Sequence, residues 1–146
     1  MSAKTADGPI LLPETEDLAA GKNFASVTTV LPSGRLQTQT IWVHVDDGRL
    51  AINTELHRRK FRDVQSDPRI TLLIRDEDDP YRYAEVRGHV AETTTGDLAR
   101  EQLDVIARKY TGSPYPEENI KTERVIVWIE PERQTFVDQS NGVVAS

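Results

Sequence analysis

The hydrophobic and polar positions of this chain fall into short runs separated by turn residues. Phe24 to Leu31 is rich in β-branched residues and reads as a strand. Pro32-Ser33-Gly34 marks a turn. Leu36 to Val45 then alternates, with Thr38, Thr40, Trp42 and His44 on one face and Ile41, Val43 and Val45 on the other. Asp46-Asp47-Gly48 closes a hairpin onto a strand over Arg49 to Thr54. Further strands are expected over Arg69 to Arg75 and over Tyr81 to Ala91, the second kinked at Gly88. Two more cover Arg124 to Ile129 and Gln134 to Val137, separated by Pro131.

Three segments carry the helical period instead. Glu14 to Ala20 lies between Pro13 and Gly21, an entry and a stop signal. Arg58 to Ser66 places Phe61 and Val64 on one face and ends at Pro68. Gly96 to Tyr110 is amphipathic through Ala99, Leu103, Ile106 and Tyr110. Six to seven short strands joined mostly by hairpins predict a mainly β, antiparallel sheet with flanking helices. Curling that sheet into a closed or partly closed barrel would protect its edges. The expected organisation is a flexible N-terminal arm over 1–13, one domain over 14–139 and a C-terminal tail over 140–146.

Composition narrows the chemistry. There is no cysteine, which removes disulfides, thiolate metal sites and thiol nucleophiles. His44, His57 and His89 lack metal-ligand spacing, and no metal site is expected. Asp76 to Asp79 lacks the alternation of a calcium loop and reads as a solvated hairpin. No apolar run is long enough for a membrane helix, and Met1 to Pro9 has no secretory pattern, so a cytoplasmic protein with no membrane partner is expected. The net charge of −6 disfavours nucleic acid and anionic membranes, so any anion must be held by a local cluster.

One such cluster exists. Arg58-Arg59-Lys60-Phe61-Arg62 follows a strand ending in Asn53-Thr54 and opens a helix. Cations at a helix start oppose its dipole, and a bound anion would offset that cost while meeting the free backbone N–H groups. The alternative is a solvated basic face paired with nearby carboxylates. Gln37, Thr38 and Gln39, on a neighbouring strand, could hydrogen-bond the edge of a heteroaromatic ring, although a water-facing strand is the commoner use of such a strip.

The order of these features resembles the pyridoxamine 5'-phosphate oxidase-like split barrels. The resemblance rests on Asn53-Thr54, the basic helix start and Asp67-Pro68-Arg69 before the next strand. It extends to Gly34-Arg35-Leu36-Gln37, Ile41-Trp42-Val43, Tyr81 to Gly88 and Arg108 to Gly112, and so runs from about Ala19 to Val137. It implies a split β-barrel, Greek-key-like, working as a homodimer with cofactor at the subunit interface. Arg58 and Lys60 would hold the cofactor phosphate with Arg59 assisting, Asn53 and Thr54 would line the phosphate and ribityl chain, and Gln37, Thr38 and Gln39 would line the ring. Trp42 is counted with the cofactor-binding set, and Tyr81 and Tyr83 would reach over from the second subunit. Asp63 departs from the pattern by placing a negative charge near the anion site.

Within the resemblance, the branch using coenzyme F420 fits best, because Arg58 and Arg62 beside Lys60 suit a deazaflavin with a long anionic tail. FMN is the alternative cofactor. The implied activity is hydride transfer to a small unsaturated or heteroaromatic molecule, with no catalytic acid or base assigned. The alternatives are an FMN-dependent oxidase or reductase and a cofactor carrier without turnover.

Overall fold

A computed structural model describes residues 2–139, apart from the side chains of Ser2 and Arg59. The C-terminal tail expected over 140–146 lies outside the described residues. Eight strands form one mainly antiparallel sheet: β1 (Ser2–Asp7), β2 (Phe24–Val30), β3 (Leu36–Trp42), β4 (His44–Asp46), β5 (Arg49–Glu55), β6 (Arg69–Arg75), β7 (Arg82–Thr95) and β8 (Arg124–Asp138). The helices are α1 (Pro13–Ala20), α2 (Arg59–Ser66) and α3 (Asp97–Thr111). None of them is long and apolar enough to cross a membrane.

The strand order is β3-β2-β6-β7-β8-β5-β4, with β1 added to β8. Its two ends, β3 and β4, are consecutive in the chain and separated only by Val43. The expected strand over Leu36 to Val45 is therefore two strands that serve opposite edges of the sheet. β3 pairs with β2 and β4 pairs with β5. The sheet curls round but its ladder stays open at this corner, as in a split barrel. Inward residues of alternating strands fill the interior: Ala25 and Val27, Ile70, Leu72 and Ile74, Ala84 and Val86, and Val125 and Val127 are all buried. Burying these side chains supplies the main drive for folding, at roughly 1.5–3 kcal/mol for each large one.

The corner at Val43 would leave buried backbone groups without partners, and α3 supplies them. The Tyr110 hydroxyl accepts from the Val43 amide at 3.1 Å. The Lys109 ammonium donates to the Val43 carbonyl at 2.7 Å and to the Ala19 carbonyl at 2.9 Å. Burial pushes the Tyr110 hydroxyl up to about 12 and Lys109 down to about 8.

Two further sequence expectations need correction. Residues 1–13 are not all a loose arm, because Ser2–Asp7 pairs residue for residue with the end of β8. Buried Gln134 then holds the chain leading into α1, donating to the Ile10 carbonyl and accepting from the Leu12 amide. The two strands expected on either side of Pro131 are one strand. β8 pairs with β5 through Ile129 and with β1 from Arg133, so the proline, which has no N–H, falls where one neighbour gives way to the next. Opposite it, β7 slips register at Gly88, and a Cβ there would overlap the Glu130 carbonyl.

Candidate functional site

A cleft of about 490 Å³ opens between β3, β5 and the start of α2 on one side and α3 on the other. The chain builds it from local rules. β5 is buried from Leu50 to Ile52 and again at Thr54, 4% exposed, and Glu55, which fixes where the chain leaves the sheet. Leu56 and His57 turn it, and α2 begins at Arg59 with no side-chain cap on its first N–H groups. Phe61 and Val64 pack into the core and orient the helix, so that Arg58 and Lys60 line the cleft. Arg62, one turn after Arg58, is exposed and does not line it.

Lys60 is the most informative of these residues. Burial, together with the positive charges of Arg58 and Arg124, pushes it down to about 8. Among the described residues, neither its ammonium nor the Arg58 guanidinium has a carboxylate partner. Like charges gathered in one partly buried cleft, two of them without a carboxylate, mark a place for an anion. Asp63 lies on the buried face of α2, is 2% exposed, accepts from the Thr29 hydroxyl and does not line the cleft.

Another part of the wall is aromatic and apolar. Trp42 stacks on Tyr110 with centroids 5.1 Å apart and meets Tyr115 edge-on at 6.3 Å. Phe24 packs against the other side of this group, 5.4 Å from Tyr110. Leu103 and Ile106 of α3 complete the lining. A cationic end and an aromatic end within one cleft suit a planar ring system that carries an anionic substituent.

Of the residues expected at the site, Gln39, Trp42, Asn53, Thr54, Arg58 and Lys60 come together here. Gln37 and Thr38 do not line it. Gln37 stands opposite Thr29, and Thr38 lies on the outer face, 2.8 Å from the Thr28 hydroxyl. Asn53 lines the cleft, but its amide is engaged in structure, donating to the Ala99 carbonyl and to Gln102. Tyr81 and Tyr83 lie away from it. Tyr83 pairs with Arg75 at the β6–β7 end, three strands along the sheet from β3. The side chain of Arg59 is outside the described residues. The Asp67-Pro68-Arg69 motif is a brace at the start of β6, with Arg69 donating to both Asp67 oxygens, and it touches no part of the cleft.

Sequence reasoning missed Arg124 and Tyr115. Arg124, the first residue of β8, is 8% exposed and lies 5.4 Å over the Tyr115 ring. Its Nε donates to Asn53 Oδ1 at 2.9 Å, and Nη1 meets the buried Glu55 carboxylate at 3.1 Å. Burial would raise the Glu55 carboxyl, but the Thr122 and Lys121 amides and the Arg124 charge outweigh it and hold the group lowered.

The family model described as pyridoxamine 5'-phosphate oxidase matches residues 11–138. Among solved structures, one named F420 reductase has a TM-score of 0.74 at 27% identity, covering 85% of this chain and 98% of its own. A conserved hypothetical protein, Rv2991, from Mycobacterium tuberculosis has a TM-score of 0.68 at 22% identity, with 94% and 92% covered. General Stress Protein 26 from Bacillus anthracis str. Sterne has a TM-score of 0.64 at 16% identity, with 85% and 91% covered, and these last two establish likeness of fold alone. Among curated proteins none matches the chain.

Proposed function

The chain belongs to the pyridoxamine 5'-phosphate oxidase family, and from that membership and the cationic cleft we propose that it is an oxidoreductase dependent on coenzyme F420. The family includes oxidoreductases, and its fold binds flavin-type cofactors. The observation that carries the reading is Lys60, held in a partly buried cleft beside Arg58 and Arg124 with no carboxylate of its own. The donor set fits a phosphate-bearing, planar cofactor. Arg58 and Lys60 would hold the phosphate with Arg59 assisting, and Thr54 would offer a hydroxyl beside them. Gln39 and Trp42 would lie along the ring.

The deazaflavin rather than the flavin is favoured by two features. Exposed Arg62 continues the positive charge along α2 beyond the cleft, where a long acidic tail would run. The likeness at 27% identity to a protein named F420 reductase points the same way. When bound in its reduced form, such a cofactor supplies a hydride. The residues of this chain bind and orient it, and Leu103, Ile106 and the aromatic wall keep water from its face. The acceptor is a small unsaturated or heteroaromatic molecule. A homodimer, with Tyr81 and Tyr83 of the second subunit completing the site, is part of the proposal.

Titrating the purified protein with F420 and FMN side by side tests this. Shifted F420 fluorescence in a colourless protein is expected. A yellow protein that retains FMN would favour the flavin enzyme instead. Tight F420 binding with no oxidation by any candidate acceptor would favour a carrier. Binding of neither cofactor overturns the proposal.

A further inference from the structure

We propose that Arg124 is the fixed anion receptor of the cleft, gripping the charged group of the bound cofactor, and that Asn53 is its positioning residue. This rests on the reading of the cleft as a site for a phosphate-bearing cofactor. The two cations that sequence reasoning finds there, Arg58 and Lys60, stand at the start of α2 with nothing bonded to their charged ends among the described residues. Arg124 differs in kind. It enters from β8, beside the end of β5, and is 8% exposed.

Its orientation is set from below by three contacts. Nε donates to Asn53 Oδ1 at 2.9 Å, Nη1 to Glu55 Oε1 at 3.1 Å and Nη2 to the Asn53 carbonyl at 3.3 Å. Asn53 cannot turn its amide over, because its Nδ2 donates to the Ala99 carbonyl at 2.9 Å and to Gln102 Oε1 at 3.1 Å. Glu55 is fixed in turn by the amides of Lys121 and Thr122 at 3.0 and 2.8 Å. A guanidinium has five N–H donors. Three are used by this scaffold, and two remain on a side chain that lines the cleft.

An arginine built only to neutralise Glu55 would not need to line a cleft that already holds Arg58 and Lys60, whose charges it opposes. An arginine held rigidly with donors to spare suits an oxyanion, since little ordering remains to be done when the ligand arrives. The α2 cations are the adjustable part of the grip and Arg124 the rigid part.

The test compares ligands that differ only in their anionic group: FMN against riboflavin, and F420 against its phosphate-free deazaflavin chromophore. Kd is read by fluorescence for wild type, Lys60→Ala, Arg124→Lys and Asn53→Ala. The expected result is a loss of about tenfold or more for the charged ligand in Arg124→Lys, and a smaller loss in the same direction in Asn53→Ala. The uncharged partner should change less than about twofold in both. If Arg124→Lys fails to fold, Asn53→Ala decides alone, since it leaves the Arg124–Glu55 pair in place. Parallel loss of charged and uncharged ligands would show a packing role and overturn the assignment. Weakening by Lys60→Ala with no change in either of the other variants overturns Arg124 alone. A wild type indifferent to the anionic group, with Lys60→Ala unchanged as well, overturns the reading of the cleft and the assignment with it.

Discussion

The hydroxyl of Tyr110 receives the amide hydrogen of Val43 at 3.1 Å, at the one residue that separates β3 from β4. Val43 is fully buried, so no water can replace that partner. Tyr110→Phe should therefore lower the stability by about 1–3 kcal/mol, the cost of leaving a buried donor unmet. Urea denaturation would measure it. An unchanged midpoint would mean that the corner is not held from α3.

Lys60 should destabilise the ligand-free protein. Its folded pKa, about 8, lies below the ordinary 10.5. Between those values the unfolded chain binds the proton more tightly, so the penalty is complete below pH 8 and fades as pH rises towards 10.5. Lys60→Met should raise the stability of the ligand-free protein at pH 7, by an amount on the order of 1–3 kcal/mol, while cofactor affinity falls. A melting temperature that drops together with affinity would contradict this.

The same group gives the binding a pH signature. A bound anion favours the charged ammonium, so affinity should be steady between pH 7 and 7.5. Above about 8 it should fall by up to roughly tenfold per pH unit. Lys60→Arg should remove the fall, because a guanidinium stays protonated throughout. Isothermal titration across pH 7 to 9.5 in both proteins would show it, and identical profiles would rule Lys60 out as the titrating group.

Gly88 is required by the close passage of β8. A Cβ at this position would overlap the Glu130 carbonyl oxygen, which belongs to backbone and cannot swing aside. Gly88→Ala should cost about 1–3 kcal/mol or more, through forced separation of β7 from β8. Denaturant midpoints compare the two proteins, and equal values would show that the bulge absorbs the methyl group.

What could be read in the sequence was local. The basic cluster, the apolar pair Phe61 and Val64 and the start of α2 lie within a few residues of one another, so their spacing alone places Lys60. Arg124 has no such signal. It is a single charge ahead of an apolar run, and its partners Asn53 and Glu55 precede it by 71 and 69 residues. Tyr115 sits among prolines in a connection with no period. The polar strip Gln37-Thr38-Gln39 reads as one surface along the sequence, but strand alternation sends Thr38 to the face opposite Gln39. Ser2–Asp7 carries no strand pattern of its own and is shaped by β8. The break at Val43 is likewise invisible in an alternation that continues through it.

β8 also has a consequence for how the chain acquires its shape during synthesis. It pairs with β1, β5 and β7, and so joins the first strand of the chain to its middle. Until the ribosome has released residues through Asp138, all three of those strands present a bare edge. Most of their backbone partners arrive together, from one stretch of fifteen residues.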